Sequence, residues 1–383
     1  MGAVLKPATE AELSQIIAAA DAPMELVGSG TKRHLGHPVQ AAATLDMSAF
    51  TGVIAYEPEE LILDVAAATP LAGIEAMLAE RGQQLAFEPP DWSALLGSHG
   101  SGTVGGLVAC NLSGPRRIKA GAARDHILGI HGVTGAGNVF KAGARVVKNV
   151  TGYDLPKLLT GSYGTLAALT SVILKVLPAP ETEETVMLTG LDDTQAVEAM
   201  SLAMQSSCEV SAAAHVPGEA VYLRLEGIAP SVAYRRDQLG KVLRRPIEVM
   251  AAKSSAATWK SIRDGAMFAG NPRHPLWRIS VAPSAAPDII RTLKDRLDIR
   301  YLFDWAGGLV WLEVPPSHEA SAALVRASFR EGHATLIRAP DATRAAVDVF
   351  QPQAPALAAL SARVKDSFDP RHILNPGRMY RGI

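Results

Sequence analysis

Over the first 180 positions, apolar residues come in short runs that end at glycine or proline. Thr9 with Glu12 forms a capping box that opens an amphipathic helix through about Ala20. Met24–Val27 is apolar and ends in Gly28-Ser29-Gly30-Thr31, a strand running into a glycine loop. Val53–Tyr56 and Leu61–Ala67 read as strands. Thr69-Pro70 then starts a helix, with Thr as cap and Pro in the first turn. Leu85–Phe87 meets Pro89-Pro90. Ile127–Thr134 and Asn138–Ala142 flank a Gly-Ala-Gly turn and predict a hairpin. Leu166–Val176 reads as a long buried strand, and Pro178 with Pro180 marks a boundary.

Beyond that boundary the pattern changes. Strand 185–188, helix 194–205, strands 211–216 and 220–226, helix 231–243 and strand 247–249 make a β-α-β-β-α-β run. Strand 277–281, helix 285–296, strands 300–303 and 309–314, helix 319–330 and strand 334–337 make a second one. This is the ferredoxin-like pattern used twice, with helices on one face of an antiparallel sheet. Residues 354–368 read as one more helix.

Composition narrows the chemistry. With 383 residues, 48% hydrophobic and 20% charged, the chain is globular and long enough for two or three domains. Lys plus Arg is 37 against 38 for Asp plus Glu, so no global charge draws it to nucleic acid. Its two cysteines, Cys110 and Cys208, are too few for an iron–sulfur cluster and form no disulfide framework. The N-terminus carries no run of signal-peptide length, and no stretch reaches the roughly 20 apolar residues of a membrane span. These features read as a cytoplasmic chain without a transmembrane segment.

Glycine-rich loops are the main candidate chemistry. Gly100-Ser101-Gly102-Thr103-Val104-Gly105 matches G-x-G-x-x-G, with Asp125 about twenty residues on. A nicotinamide site would need an apolar strand directly before the loop, and 93–99 is a poor one. Pro115, Arg116 and Arg117 follow the loop in place of helix. Consecutive N–H groups in a glycine turn instead form a concave anion nest. Gly28–Thr31 provides one after its strand. Thr103–Gly106 provides a second, at the start of a short helix through Cys110. Two nests suit a pyrophosphate-bearing cofactor. The plainer reading of any single glycine is a tight turn.

Taken in order, LVGSGTKRHLG, GTVGGLVACNLSGP, RDHILGIHGVTGAGNVFKAG, KNVTGYDLPKLLTGSYGTLAALTSVILKVLP and LNPGRM resemble the successive loops of the PCMH-type FAD-binding fold, shared with vanillyl-alcohol oxidase. GPRR, GYDL, LWRIS, DWAGG, GHAT and NPGRMY are similar to the smaller FAD-binding subunit of three-subunit glycolate oxidases. The resemblance implies an α+β chain. A PCMH-type domain of two α+β subdomains (1–180) holds FAD, a cap of two ferredoxin-like repeats (181–340) covers the isoalloxazine, and residues 341–383 return to the flavin. It places the pyrophosphate on Gly28, Ser29, Gly30 and Thr31, with Thr103, Gly105 and Gly106 approaching from the second loop. Cys110, Asn111 and Gly114 lie along the flavin and its phosphates, with Pro89 nearby. Gly164, Thr165 and the backbone near Val172 hold the adenosine end, and Asn375 reaches the flavin ring.

Two departures from the family pattern matter. Covalent members carry histidine where this chain has Thr31, so the FAD is expected to be non-covalent, and His34 is a loop histidine. Sister 2-hydroxyacid dehydrogenases carry H-x-G-D-G-N-x-H. The matching stretch here is Asp304–Trp311, with tryptophans near the histidine positions, and no metal ligands are expected. Indole neither ligates metal nor accepts a proton. Arg278 is the best carboxylate-binding candidate and His333 the best base, against plainer roles in an inter-strand ion pair and in packing. Arg116, Arg117 and Lys119 read as a solvated turn, or as a contact to cofactor phosphate or a partner. The resemblance implies a subunit that passes electrons through flavin to an iron–sulfur subunit, beside a larger FAD-linked subunit acting on a 2-hydroxy acid. The complex would sit at the inner membrane, if at all, through those partners. The alternatives are a flavin-free assembly subunit and a stand-alone FAD-dependent 2-hydroxyacid dehydrogenase.

Overall fold

A computed structural model describes residues 2–144 and 153–383. The chain divides into two compact units. One comprises Met1–Leu112, Ala122–Pro178 and Pro352–Ile383; the other comprises Ser113–Gly121 and Ala179–Gln351. Lys148–Gly152, part of the fourth resembling segment, lies outside the described residues.

The first unit holds a parallel sheet of three strands, in the order Ala3–Leu5, Ala43–Asp46, Met24–Val27. Its helix Glu10–Ala19 opens as the sequence predicts. The Thr9 hydroxyl accepts from the Glu12 amide at 3.2 Å, and the Glu12 carboxylate accepts from the Ala8 amide. Leu13 and Ile17 pack from that helix against Met24, Leu45 and Leu374. A second, antiparallel sheet runs Val53–Glu57, Ile62–Ala66, Ala167–Lys175, Ile127–Thr134, Val139–Gly143. The C-terminal helix Pro355–Phe368 brings the LNPG segment back beside Met24. Buried Lys365 fastens that return. Its ammonium donates to Thr165 O, the Asp369 carboxylate and Leu374 O at 2.6, 2.7 and 2.9 Å.

The second unit is one eight-stranded sheet ordered Glu248–Met250, Thr182–Leu188, Ala220–Gly227, Ala212–Val216, Arg300–Asp304, Leu309–Glu313, Leu276–Ser280, His333–Arg338. Read from either edge inward, each half follows the strand order 4-1-3-2 of a ferredoxin-like unit. The halves join where His215 pairs with Phe303. Helices Asp193–Gln205, Ala229–Leu243 and Ala286–Lys294 bury Val197, Leu239 and Ile290 in a core with Val221, Trp277 and Leu312.

Four local expectations are corrected. Thr69 does not cap the next helix. Pro70 holds the cap position, while the Thr69 hydroxyl is engaged with Gly52 and Ala66. The helix expected over 319–330 spans Ala322–Ala327, because Ala320 and Ser321 take left-handed φ of 49° and 52°. Residues Arg117–Ala120 form a helical turn where none was expected. Helix Ala252–Asp264 follows the first repeat without having been anticipated.

Candidate functional site

Both glycine loops of the first unit line one cavity, which also receives Gly164, Asn375 and Arg378. The first loop leaves the end of strand Met24–Val27 and turns at Gly30, whose φ is +79°. The main-chain N–H groups of Ser29, Gly30 and Thr31 have no partner among the described residues. Three consecutive free amides in a glycine turn are the donor set of an anion nest.

The second loop is built differently. Thr103 caps helix Val104–Cys110 by accepting from the Gly106 amide at 3.2 Å. The amides of Val104, Gly105 and Leu107 donate to Thr69 O, Ala67 O and Thr103 O at 3.1, 2.6 and 2.9 Å. Glycine is required at 105 for close approach: an added Cβ would lie 2.9 Å from both the Ala67 side chain and its carbonyl oxygen.

The loops meet glycine to side chain. A Cβ on Gly28 would lie 3.0 Å from the Thr103 hydroxyl, and one on Gly102 would lie 2.6 Å from the Lys32 ammonium. Lys32, Arg33 and Arg378 make the cavity cationic. Arg33 and Arg378 both pair with Glu25. Burial pushes Lys32 below its usual value, with Cys110 and Asp91 acting the other way. Burial pushes the Cys110 thiol up, opposed by Lys32 and Arg378, so it stays protonated near neutral pH. A desolvated ammonium beside free amides fits a bound phosphate, which would restore the favoured charge.

The cavity thus gathers Gly28, Ser29, Gly30, Thr31, Thr103, Gly105, Gly106, Cys110, Gly164 and Asn375. Asn375 acts as a clasp there. Its side-chain oxygen accepts from the Leu26 amide at 2.9 Å and its Nδ2 donates to Tyr163 O at 2.8 Å. Gly164 approaches it so closely that a Cβ would lie 2.8 Å from that Nδ2. Four other candidates of this unit, Pro89, Asn111, Thr165 and Val172, are not among the lining residues. Pro89 is buried in its loop, Val172 is buried in a central strand, and the Thr165 hydroxyl donates to Ser162 O. Asn111, at φ +50°, ends the capped helix and accepts from the Arg124 amide at 3.1 Å. His34 is exposed in its loop. Sequence reasoning missed Lys32 and Arg378, although each directly follows a quoted motif residue or sits within one.

Gly114, Arg278 and His333 belong to the second unit. Gly114 O accepts from the Trp305 indole at 3.1 Å. Arg278 pairs across the sheet with Trp311 and Thr335, and His333 with Ser280, so Arg278 and His333 are diagonal neighbours on one face. Among the described residues, no helix is long and apolar enough to cross a membrane.

Comparison with known proteins agrees with this cradle. A family model described as an FAD binding domain matches residues 1–143. Glycolate oxidase subunit GlcE of Escherichia coli K12 is 34% identical over 94% of this chain and 93% of its own length. Glycolate oxidase subunit GlcD of Bacillus subtilis 168 is 29% identical, over 58% of this chain and 45% of its own. A crystal structure of p-cresol methylhydroxylase with substrate bound superposes with a TM-score of 0.72 at 14% identity, over 98% of this chain and 88% of that one, a likeness of fold. The chain is an FAD-linked oxidoreductase and belongs to the family of the glycolate oxidase subunit GlcE.

Proposed function

We propose that this chain is the smaller FAD-binding subunit of a glycolate oxidase complex. It holds its flavin non-covalently, and the complex passes electrons to an iron–sulfur subunit while a larger FAD-linked subunit oxidises the 2-hydroxy acid. The observation that carries this reading is the free-amide nest at Ser29–Thr31 beside the desolvated Lys32, in a chain related along its length to GlcE. When bound, FAD supplies a ring that accepts two electrons and releases them singly or in pairs.

The chain's own residues do the holding. Ser29, Gly30 and Thr31 donate main-chain N–H groups to the pyrophosphate, and Lys32 supplies its counter-charge. Gly28, Thr103 and Gly106 let the two loops meet through the Thr103 and Lys32 side chains, and Gly105 seats the second loop against Ala67. Thr31 offers no ring nitrogen for a covalent flavin bond, and a protonated Cys110 is no nucleophile. Asn375 clasps the C-terminal return to the first loop's strand. The two cysteines cannot hold a cluster, so an iron–sulfur partner takes the electrons onward. The chain is cytoplasmic and reaches a membrane only through its partners.

Purifying the tagged chain tests this. The expected result is an oxidised-flavin spectrum at one FAD per chain, with the flavin released on denaturation, together with a second flavoprotein and a cysteine-rich protein as companions. A colourless chain that does not take up added FAD would refute the reading.

A further inference from the structure

Two glutamates of the second unit face each other across neighbouring strands. Glu183 on strand Thr182–Leu188 stands directly opposite Glu226 on strand Ala220–Gly227, and Thr185 stands opposite Arg224. Side chains alternate along a strand, so these four share one face of the sheet. Val186, Leu223 and Leu225 take the other face, into the helical core. Opposed side chains lie about 5 Å apart at Cβ, where like charges repel. The two carboxyl groups are not equivalent. Arg116 donates to both oxygens of Glu226, at 3.0 and 2.6 Å, and Arg224 lies 3.6 Å from the same carboxylate. The Oε1 atom of Glu183 is buried, with no hydrogen-bond partner among the described residues. Ionised, Glu183 would keep charge on an oxygen that nothing solvates; protonated, it does not.

The surroundings of Glu183 are set by the elements packed on it. Helix Ala252–Asp264 lies against its strand and supplies Ser255 and Trp259, neither of which titrates. Ser255 donates to the Glu183 carboxyl, shares a 2.7 Å hydrogen bond with Thr185, and the Trp259 indole donates to Thr185 at 2.8 Å. Strand Ala220–Gly227 supplies Arg224 and Glu226, and segment 113–121 supplies Arg116. The edge strand Glu248–Met250 sets Met250 opposite Thr185, with Glu248 two positions further off. Burial pushes the Glu183 carboxyl above its usual value against Ser255 and Arg224, while Glu226 adds to the rise and Arg116 opposes it. Burial works to raise Glu226 as well, but Arg224 and Arg116 outweigh it and hold that carboxyl below its usual value. Such divergence between adjacent carboxyl groups separates a protonated acid from a carboxylate.

We propose that Glu183 and Glu226 form a proton-dependent latch: with Glu183 protonated, Glu226 keeps Arg116 and fastens segment 113–121 to the sheet, and loss of that proton to solvent loosens the hold. An ionised Glu183 sets a second negative charge opposite Glu226 and draws on the same two arginines. Glu183 is partly exposed, so its proton exchanges with water. The latch consists of the second unit's own residues and does not rest on the proposed function.

Amide hydrogen exchange of the full chain across pH, with intrinsic exchange rates divided out, tests the latch. The amides of Lys119 and Ala120 donate to Arg116 O and that of Gly121 to Arg117 O, so their protection reports the order of the segment. In the wild-type chain that protection is expected to fall at least about fivefold from about pH 5 to about pH 8. It should stay level in Glu183→Gln, which mimics the protonated acid, and be largely lost at both pH values in Glu226→Gln. Stability carries the same sign. The folded value of Glu183 is raised above 4.5, so its contribution is whole below 4.5 and lost as pH climbs through the folded value. In denaturant unfolding, the folding constant of Glu183→Gln relative to wild type should therefore rise about tenfold over the same range. Level protection in the wild type would overturn the proposal whether or not the variants fold. So would the same fall in Glu183→Gln, unaltered protection in Glu226→Gln, or a Glu183→Gln chain that loses stability relative to wild type as pH rises.

Discussion

The two loops that line the cavity of the first unit look alike as sequence and differ in their hydrogen bonds. Gly28-Ser29-Gly30-Thr31 leaves three main-chain donors open, whereas Val104, Gly105 and Gly106 of the second loop give theirs to Thr69, Ala67 and Thr103. One loop uses glycine to expose N–H groups. The other uses glycine to let two backbones touch. Glycine density alone does not separate these uses; the destination of each amide does.

The largest effect expected from this difference is on stability, at the second loop. Gly105→Ala places a Cβ 2.9 Å from the Ala67 backbone and side chain, and is expected to cost about 2–3 kcal/mol in denaturant unfolding. A cost below about 0.5 kcal/mol would mean the contact is loose. Gly30→Ala meets no atom closer than 3.8 Å and carries only the penalty of its left-handed φ, about 1 kcal/mol, so its main effect falls on FAD affinity.

Next in size is the charge at the first loop. Lys32→Met is expected to weaken FAD about tenfold while stabilising the cofactor-free chain, because it removes an ammonium that burial disfavours. The sign in pH follows. Lys32 has its folded value lowered, so the folded chain loses that proton before the unfolded chain does, and stability rises as pH climbs from Lys32's own value toward 10.5. FAD affinity is level below Lys32's value and falls above it, and Lys32→Met should flatten that fall. An unchanged alkaline profile in the variant would remove Lys32 from the site.

The smallest effect belongs to the cap. Thr103→Val frees the Gly106 amide and is expected to cost about 1 kcal/mol of stability. FAD affinity should change less than about threefold if the second loop supports packing and does not donate to the cofactor. A large loss of affinity at unaltered stability would erase the distinction between the loops.

Much of this architecture is legible where local chemistry decides it. The Thr9 cap, the hairpin Ile127–Gly143 and the helix after Thr103 follow from short-range signals. The doubled ferredoxin-like order follows from the alternation of periods. What escaped is set at long range. Thr69 failed as a cap because a carbonyl seventeen residues away offered its hydroxyl a partner. Helix Ala252–Asp264 buries mainly Ser255, Trp259 and Ile262, too sparse a stripe to announce itself. Arg117 read as a solvated turn or as a contact to cofactor phosphate or a partner, because Trp305, which it covers, lies far along the chain. The first loop was legible as a nest from its glycines, but the contrast with the second required the hydrogen bonds.

Amide hydrogen exchange, measured residue by residue on the chain with and without FAD, tests that contrast most directly. Ser29, Gly30 and Thr31 should exchange freely in the cofactor-free chain and slow at least about tenfold when FAD is added, while Val104, Gly105 and Gly106 should be protected in both states. Protection that arises with FAD at Val104–Gly106 and not at Ser29–Thr31 would contradict the account.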